Sequence, residues 1–77
     1  IAEHPLKLAT VTEIGEKAFA GCTAMTKVIF NVNANVKNYA FRNCTNLKTL
    51  ENKPADENLG KDVFKDTKYQ NDLDKTV

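Results

Sequence analysis

The stretch Ile14–Met25, with the sequence IGEKAFAGCTAM, decides the fold because it occurs a second time. The second copy is Val36–Leu47, VKNYAFRNCTNL, and it lies 22 positions further along the chain. The closest matches at this spacing are Ala18 with Ala40, Phe19 with Phe41, Cys22 with Cys44, Thr23 with Thr45, and Met25 with Leu47. A fixed period of this length predicts stacked structural repeats, because one repeat alone cannot bury its apolar face.

Each repeat is predicted to contain a turn followed by a strand. Gly15 permits a tight turn, and Gly21 is a typical stop signal, so residues 16–21 are expected to form a short helical turn. The β-branched and aromatic residues at 26–30 predict a strand. The asparagine-rich residues 31–35 predict a loop.

The chain has 77 residues and is expected to form one domain. Its predicted parts are a partial repeat at 1–12, full repeats at 13–34 and 35–58, and a degenerate repeat at 59–77. Equivalent residues of the last two repeats, such as Val36 and Leu59, lie 23 positions apart, so one residue is inserted in the preceding loop. Because repeat arrays need atypical terminal units with a polar outer face, residues 59–77 are predicted to form a C-terminal cap.

The apolar positions of the repeat predict the core. Phe19, Phe41 and Phe64 are equivalent and are expected to form an aromatic column through successive repeats. The other residues expected to point inward in the first repeat are Ile14, Ala18, Met25, Val28 and Phe30. Because successive strand residues point to opposite sides, Lys27 and Ile29 are expected to face solvent.

The pattern Ile-Gly-x-x-Ala-Phe-x-x-Cys-Thr-x-Met resembles the BspA-like class of leucine-rich repeat, which is common in bacterial cell-surface proteins. The resemblance covers residues 6–50 and part of 59–67. It implies an α/β repeat fold, a right-handed solenoid with short parallel strands and short helical turns. It also implies a surface-displayed or secreted bacterial protein with an adhesion or protein-binding role and no shared catalytic residues.

Composition and charge argue against two classes of partner. The chain is 42% hydrophobic and 27% charged, with a formal net charge of +1. Nucleic-acid-binding proteins carry clusters of lysine and arginine, whereas the lysines and the arginine of this chain are scattered along the sequence. No apolar run approaches the roughly 20 residues that span a bilayer, and the sequence contains no recognisable signal peptide. We therefore expect neither nucleic-acid binding nor membrane insertion by this segment.

Cys22 and Cys44 occupy the same position in adjacent repeats, which leaves free thiols and a disulfide both open. A strand spacing of about 4.8 Å lies within the Cα separation of a disulfide, about 4.4–6.8 Å. Stacked side chains point in parallel, however, and free cysteine is usually buried, which favours buried free thiols. His4 is the only histidine, so no four-ligand metal site is expected.

No constellation in the sequence predicts catalysis or a cofactor. The paired acidic residues Asp56 and Glu57, and the pair Asp72 and Asp74, lie in polar segments. An acid catalyst needs an apolar environment that raises its pKa, and these segments offer none. Asn43-Cys44-Thr45 matches the N-glycosylation pattern but falls inside the repeat motif, so the match is taken as incidental. The chain is therefore predicted not to be an enzyme.

The outer side of the predicted sheet is the candidate binding surface. Stacking by 22 residues predicts one row of Lys7, Ile29 and Glu51 beside a second row that contains Lys27 and Thr49. A large apolar residue with a polar rim is typical of an interface. We expect a module that binds a host or cell-surface protein or a glycan. The alternative is a purely structural cap or spacer of a longer solenoid.

A second contact is expected at the N-terminal end of the stack. Leu6 and Leu8 are predicted to expose the apolar face of the first strand. Such a face is expected to be covered by further repeats or by self-association.

Overall fold

The structure, a computed structural model, describes residues 5–75. It contains five short strands, one 3-10 helix and one α-helix: β1 Pro5–Leu8, β2 Glu13–Ile14, β3 Lys27–Phe30, β4 Asn35–Val36, β5 Thr49–Glu51, the 3-10 helix Asp56–Asn58 and α1 Lys68–Lys75. The strand predicted at 26–30 is thus confirmed and begins one residue later. His4 lies outside the described residues.

Strands from successive repeats pair in parallel and in register. One sheet has the order β1-β3-β5, and a two-stranded sheet pairs β2 with β4. Val28 lies between Leu6 and Leu50, so the pairing offset equals the 22-residue sequence period. Val36 forms an isolated parallel bridge with Leu59, which confirms the 23-residue offset of the third copy. The sequence repeat is therefore a structural repeat with short parallel strands.

Residues 16–21 form consecutive turns, so the prediction of a short helical turn is wrong. Lys17 has a φ of 59° and Gly21 a φ of 78°, both outside the right-handed helical region. Alternate amides of this segment bind the next repeat instead of their own: Lys17 N donates to Asn38 O at 3.1 Å, Phe19 N to Ala40 O at 2.8 Å, and Gly21 N to Arg42 O at 2.8 Å. Because these three amides donate to carbonyls of the second repeat, they are not available for helical hydrogen bonds within the first repeat.

The left-handed backbone conformation recurs at two positions of the repeat. The first position is occupied by Lys17, Tyr39 and Asp62, with φ values of 59°, 61° and 52°, and the second by Gly21, Asn43 and Asp66, with φ values of 78°, 64° and 61°. A non-glycine residue in this region costs about 1–2 kcal/mol. Five of these six residues are not glycine and accept this cost, and the shared positions show that the backbone follows the same path in each copy.

An aromatic column runs through the core, as predicted. The fully buried ring of Phe41 stacks between Phe19 and Phe64, with centroid distances of 5.3 Å and 5.7 Å and interplanar angles of 14° and 16°. Phe30 meets Phe41 edge-on at 5.6 Å. Ile14, Met25, Val28 and Phe30 are buried, as expected from the repeat pattern.

Two residues of the first repeat are less buried than predicted. Ala18 is exposed and Phe19 is half-buried, although both were expected to point into the core. Their equivalents Ala40 and Phe41 are completely buried. The difference follows from stacking, because the second repeat lies between two others. Among the described residues, none covers the outer side of the first repeat's turn.

The prediction of an exposed apolar face on β1 is wrong for Leu8 and only partly right for Leu6. Leu8 is 8% exposed and belongs to the core cluster, while Leu6 is half-buried and packs against that cluster. Both side chains point to the same side of the sheet as Val28, which pairs in register with Leu6 on one side and Leu50 on the other. The first strand therefore buries much of its apolar side within the domain.

A helix replaces the strand of the third repeat. Thr67, at the position of the two cysteines, is fully buried, and its Oγ1 donates to Phe64 O at 2.7 Å and accepts from Gln70 N at 3.1 Å. The second bond is a helix N-cap, which begins α1. Tyr69 N donates to Leu47 O at 2.7 Å, and the Tyr69 ring lies edge-on to Phe64 at 5.8 Å. These contacts fasten α1 to the second and third repeats.

Candidate partner-binding face

The candidate site is the outer side of the β1-β3-β5 sheet, here called the sheet face and formed by Lys7, Lys27, Ile29, Thr49 and Glu51. In the observed register Lys7, Ile29 and Glu51 lie in one row, and Lys27 and Thr49 lie in the next. The predicted alignment of the two rows is confirmed. Residues from three separate sequence segments thus come together on one surface because the strands pair in parallel.

The side chains of the sheet face differ in exposure. Lys7, Thr49 and Glu51 are exposed, whereas Lys27 and Ile29 are only half-buried. The expectation that Lys27 and Ile29 both face solvent freely is therefore only partly right. They lie on β3, the middle strand, which has a neighbour on each side. Lys7 lies on β1, which pairs with one strand only among the described residues.

One ion pair crosses the sheet face. The Lys27 ammonium lies 2.8 Å from a carboxylate oxygen of Glu51, and the two side chains are 27% and 48% exposed. In register Lys27 is opposite Thr49, so the pair is a diagonal one. An exposed pair of this kind contributes between about 0 and 1 kcal/mol to stability. The face thus presents the exposed Lys7 at one end of a row, Ile29 in the middle and an ion-paired Glu51 at the other end.

The two cysteines are free, and they differ in environment. Cys44 is completely buried, and its Sγ donates to Phe19 O at 3.0 Å. Burial raises the pKa of the Cys44 thiol above its ordinary value. Cys22 is exposed, so the prediction that both thiols are buried is wrong for this residue. Cys22 belongs to the first repeat, where Ala18 is also exposed.

The acidic residues make exposed polar contacts. Asp56 pairs with Lys53 at 3.2 Å, and Asp72 pairs with Lys68 at 3.6 Å. Asp74 accepts a hydrogen bond from Gln70 at 3.1 Å. Within residues 5–75 no group of three or more His, Cys, Asp or Glu side chains could hold a metal ion. In the same range no helix is both long enough and apolar enough to cross a bilayer.

Stacking also creates a cationic and aromatic cluster that sequence reasoning missed. The Lys17 ammonium lies 5.9 Å and the Arg42 guanidinium 5.5 Å from the centre of the Tyr39 ring, within the range of cation–π attraction. Lys17 and Tyr39 occupy the same repeat position, 22 residues apart. The signal that could have revealed the cluster is this shared position, read together with the spacing of three from Tyr39 to Arg42.

Comparison with known proteins identifies the repeat. A family model described as BspA type leucine-rich repeat region (6 copies) matches residues 6–74. No curated protein and no solved structure matches the chain. Members of this family are generally non-enzymatic and generally serve as protein-interaction or surface modules. Since the match spans nearly the whole chain, and the aromatic column and paired strands recur at the spacing of the motif, the chain belongs to the BspA-type leucine-rich repeat family.

Proposed function

We propose that this chain is a non-catalytic binding module whose sheet face recognises a host or cell-surface protein or a glycan. The observation that carries this proposal is the parallel register of β1, β3 and β5. It aligns Lys7, Ile29 and Glu51 across three strands and sets Lys27 beside them. The family's general role in protein interaction supports the same reading.

The chemistry of the sheet face suits a protein interface. Interfaces combine a partly apolar centre with a polar rim. Ile29 is half-buried at the centre of its row, and the exposed Lys7, Thr49 and Glu51 surround it. The short strands keep the backbone of this surface in place through the sheet, so little ordering cost is expected on binding.

The proposal extends to architecture and location. The chain would be part of a right-handed solenoid, in which residues 13–34 and 35–58 are full repeats and residues 59–77 form the cap. Support comes from α1, which stands where the third repeat's strand would lie and is fastened to the second repeat by the bond from Tyr69 N to Leu47 O. Display on a bacterial surface or secretion follows from what is general in the family.

The test compares two double variants of the full chain. Lys27→Ala with Ile29→Ala alters the sheet face, and Lys37→Ala with Val32→Ala removes one lysine and one aliphatic side chain elsewhere. Lys37 and Val32 are both exposed, and Val32 is 56% exposed. Each fluorescently labelled protein is incubated with a glycan array and with intact epithelial cells, and thermal unfolding is recorded to establish that both variants fold.

A binding role predicts that the sheet-face variant retains less than about a tenth of the bound fluorescence, which corresponds to a loss of about 1.4 kcal/mol or more. The Lys37 and Val32 control is expected to bind like the unchanged protein. Equal binding by both variants, or no binding by the unchanged protein to either target, would instead favour the structural spacer.

A further inference from the structure

The hydrogen bonds between repeats stop at the third repeat. In the second repeat, three alternate amides donate to the third: Tyr39 N to Lys61 O at 2.9 Å, Phe41 N to Val63 O at 3.0 Å, and Asn43 N to Lys65 O at 2.9 Å. The equivalent amides of the third repeat belong to Asp62, Phe64 and Asp66. No acceptor binds these three amides in the part of the chain that the structure describes.

The helix α1 closes one side of the third repeat and leaves this row of amides uncovered. Its bond to Leu47 O fastens α1 on the strand side. On the turn side a groove of about 570 Å³ remains between the 3-10 helix and α1. The groove is lined by residues of the 3-10 helix, of the turns at 61–66 and of α1, among them Asp56, Asp62, Val63, Asp66, Gln70 and Asp74. The apolar residues Leu59, Val63 and Phe64 also line it, and the unbonded amides belong to the consecutive turns at residues 61–66.

The groove is acidic, which favours a basic ligand. Four aspartates and one lysine line it, and the acidic residues are exposed. Asp56 is paired with Lys53, and Asp74 accepts from Gln70. Asp62 and Asp66 make no ion pair within residues 5–75. Because Gln70 is neutral, the Asp74 carboxylate is also without an ion pair within residues 5–75, as is the Lys65 ammonium. Two of the groove's three carboxylates without an ion pair therefore belong to Asp62 and Asp66, whose amides are also unbonded.

We propose that this groove binds a lysine- or arginine-rich segment of a partner polypeptide by backbone pairing. Three alternate carbonyls of the segment accept from the amides of Asp62, Phe64 and Asp66, and its basic side chains meet the two aspartates. The chain contains the same backbone pairing twice, between its first and second repeats and between its second and third. This site lies on the third repeat and does not depend on the sheet face.

The first test follows backbone amides by ¹⁵N–¹H NMR with a defined probe. The probe is the peptide acetyl-Lys-Thr-Lys-Val-Lys-Thr-Lys-amide, and the control peptide has glutamate in place of every lysine. Addition of the probe is expected to shift the signals of the Asp62, Phe64 and Asp66 amides and to slow their hydrogen exchange. The amides of Tyr39 and Phe41, which are already bonded, are expected to keep their exchange rates.

The second test uses variants that preserve the backbone. Asp62→Asn with Asp66→Asn removes both charges but keeps a residue that tolerates a left-handed φ, as Asn43 does naturally at the position of Asp66. This double variant is expected to bind the probe about fivefold more weakly at low salt. Asp72→Asn, on α1 and outside the groove lining, is the matched control and is expected to bind like the unchanged protein.

Three outcomes would overturn the proposal. One is equal binding of the lysine and glutamate peptides, and another is unchanged affinity in the Asp62 and Asp66 double variant. The third is a shift of the same amides that depends on protein concentration without any peptide, which would identify a second copy of this chain as the occupant. Because the Ile29→Ala variant is expected to leave probe binding unchanged, failure here is distinguishable from failure of the sheet-face proposal.

Discussion

Gly15 and Gly60 hold the same position in the first and third repeats but have different surroundings. A Cβ on Gly15 would have no atom within 4 Å, and the residue needs no left-handed φ. A Cβ on Gly60 would lie 2.6 Å from Asn38 N and 2.8 Å from Lys37 C, both backbone atoms that cannot move freely. The expectation that Gly15 is needed for its turn is therefore wrong, while Gly60 is required by close packing between repeats.

The two glycines therefore predict opposite results for the same substitution. Gly60→Ala is expected to lower the free energy of unfolding by about 1–3 kcal/mol, because the methyl group is forced against backbone. Gly15→Ala is expected to raise it by about 0.4–1 kcal/mol, because only the unfolded chain loses freedom. Urea unfolding followed by circular dichroism measures both. Equal effects of the two substitutions would contradict the close approach of Gly60 to Asn38.

At the scale of the element, the stacked aromatic column is the feature that most clearly joins the repeats. Phe41 has a phenylalanine on each side along the column and Phe30 edge-on to it. The 22-residue spacing predicted this arrangement, because equivalent residues of stacked repeats must meet. Phe19, at the end of the column, is only half-buried and has one stacked neighbour.

Phe41→Ala is expected to cost about 3–5 kcal/mol of stability, since the ring is completely buried. A loss of that size can unfold so small a domain, so Phe41→Leu, which keeps most of the volume, supplies a folded comparison. Phe19→Ala is the matched control and is expected to cost less, because Phe19 is partly in water. The measurement is again urea unfolding, and a loss below about 1 kcal/mol for Phe41→Ala would refute the column as a source of stability.

The short turns between the strands were predicted less well, for a physical reason. A glycine at each end of residues 16–21 is compatible with a short helix and with consecutive turns. The choice depends on where the amides of Lys17, Phe19 and Gly21 find acceptors, and these acceptors belong to the next repeat. Local sequence signals cannot report on that partner.

At the scale of the whole molecule, the two cysteines differ in how their accessibility depends on folding. Cys22 is exposed in the folded state, whereas Cys44 becomes accessible only when the stack opens. Burial raises the pKa of Cys44, so the folded state holds the thiol proton more tightly than the unfolded chain does. This contribution is complete below the ordinary thiol pKa of about 8.5 and is lost as the pH rises from there through the raised pKa of the folded state.

Thiol labelling tests this difference. At pH 8 iodoacetamide is expected to modify Cys22 within minutes and Cys44 only at the rate of global opening. Above about pH 9 the labelling rate of Cys44 is expected to rise more steeply than the ionised fraction of an unfolded thiol, because the free energy of unfolding falls as well. Mass spectrometry of Cys22→Ser and of the unchanged protein separates the two sites. Labelling of Cys44 as fast as Cys22 at pH 8 would contradict its burial.

The sequence by itself determined the repeat period, the parallel register, the two rows of the sheet face and the aromatic column. It could do so because stacking places equivalent residues beside one another, and equivalence can be read from spacing. Only the tertiary structure decided which member of each equivalent set is buried. Ala18 and Cys22 are exposed while Ala40 and Cys44 are buried, since within residues 5–75 the turn of the second repeat has a neighbouring turn on both sides and the turn of the first repeat has one on only one side.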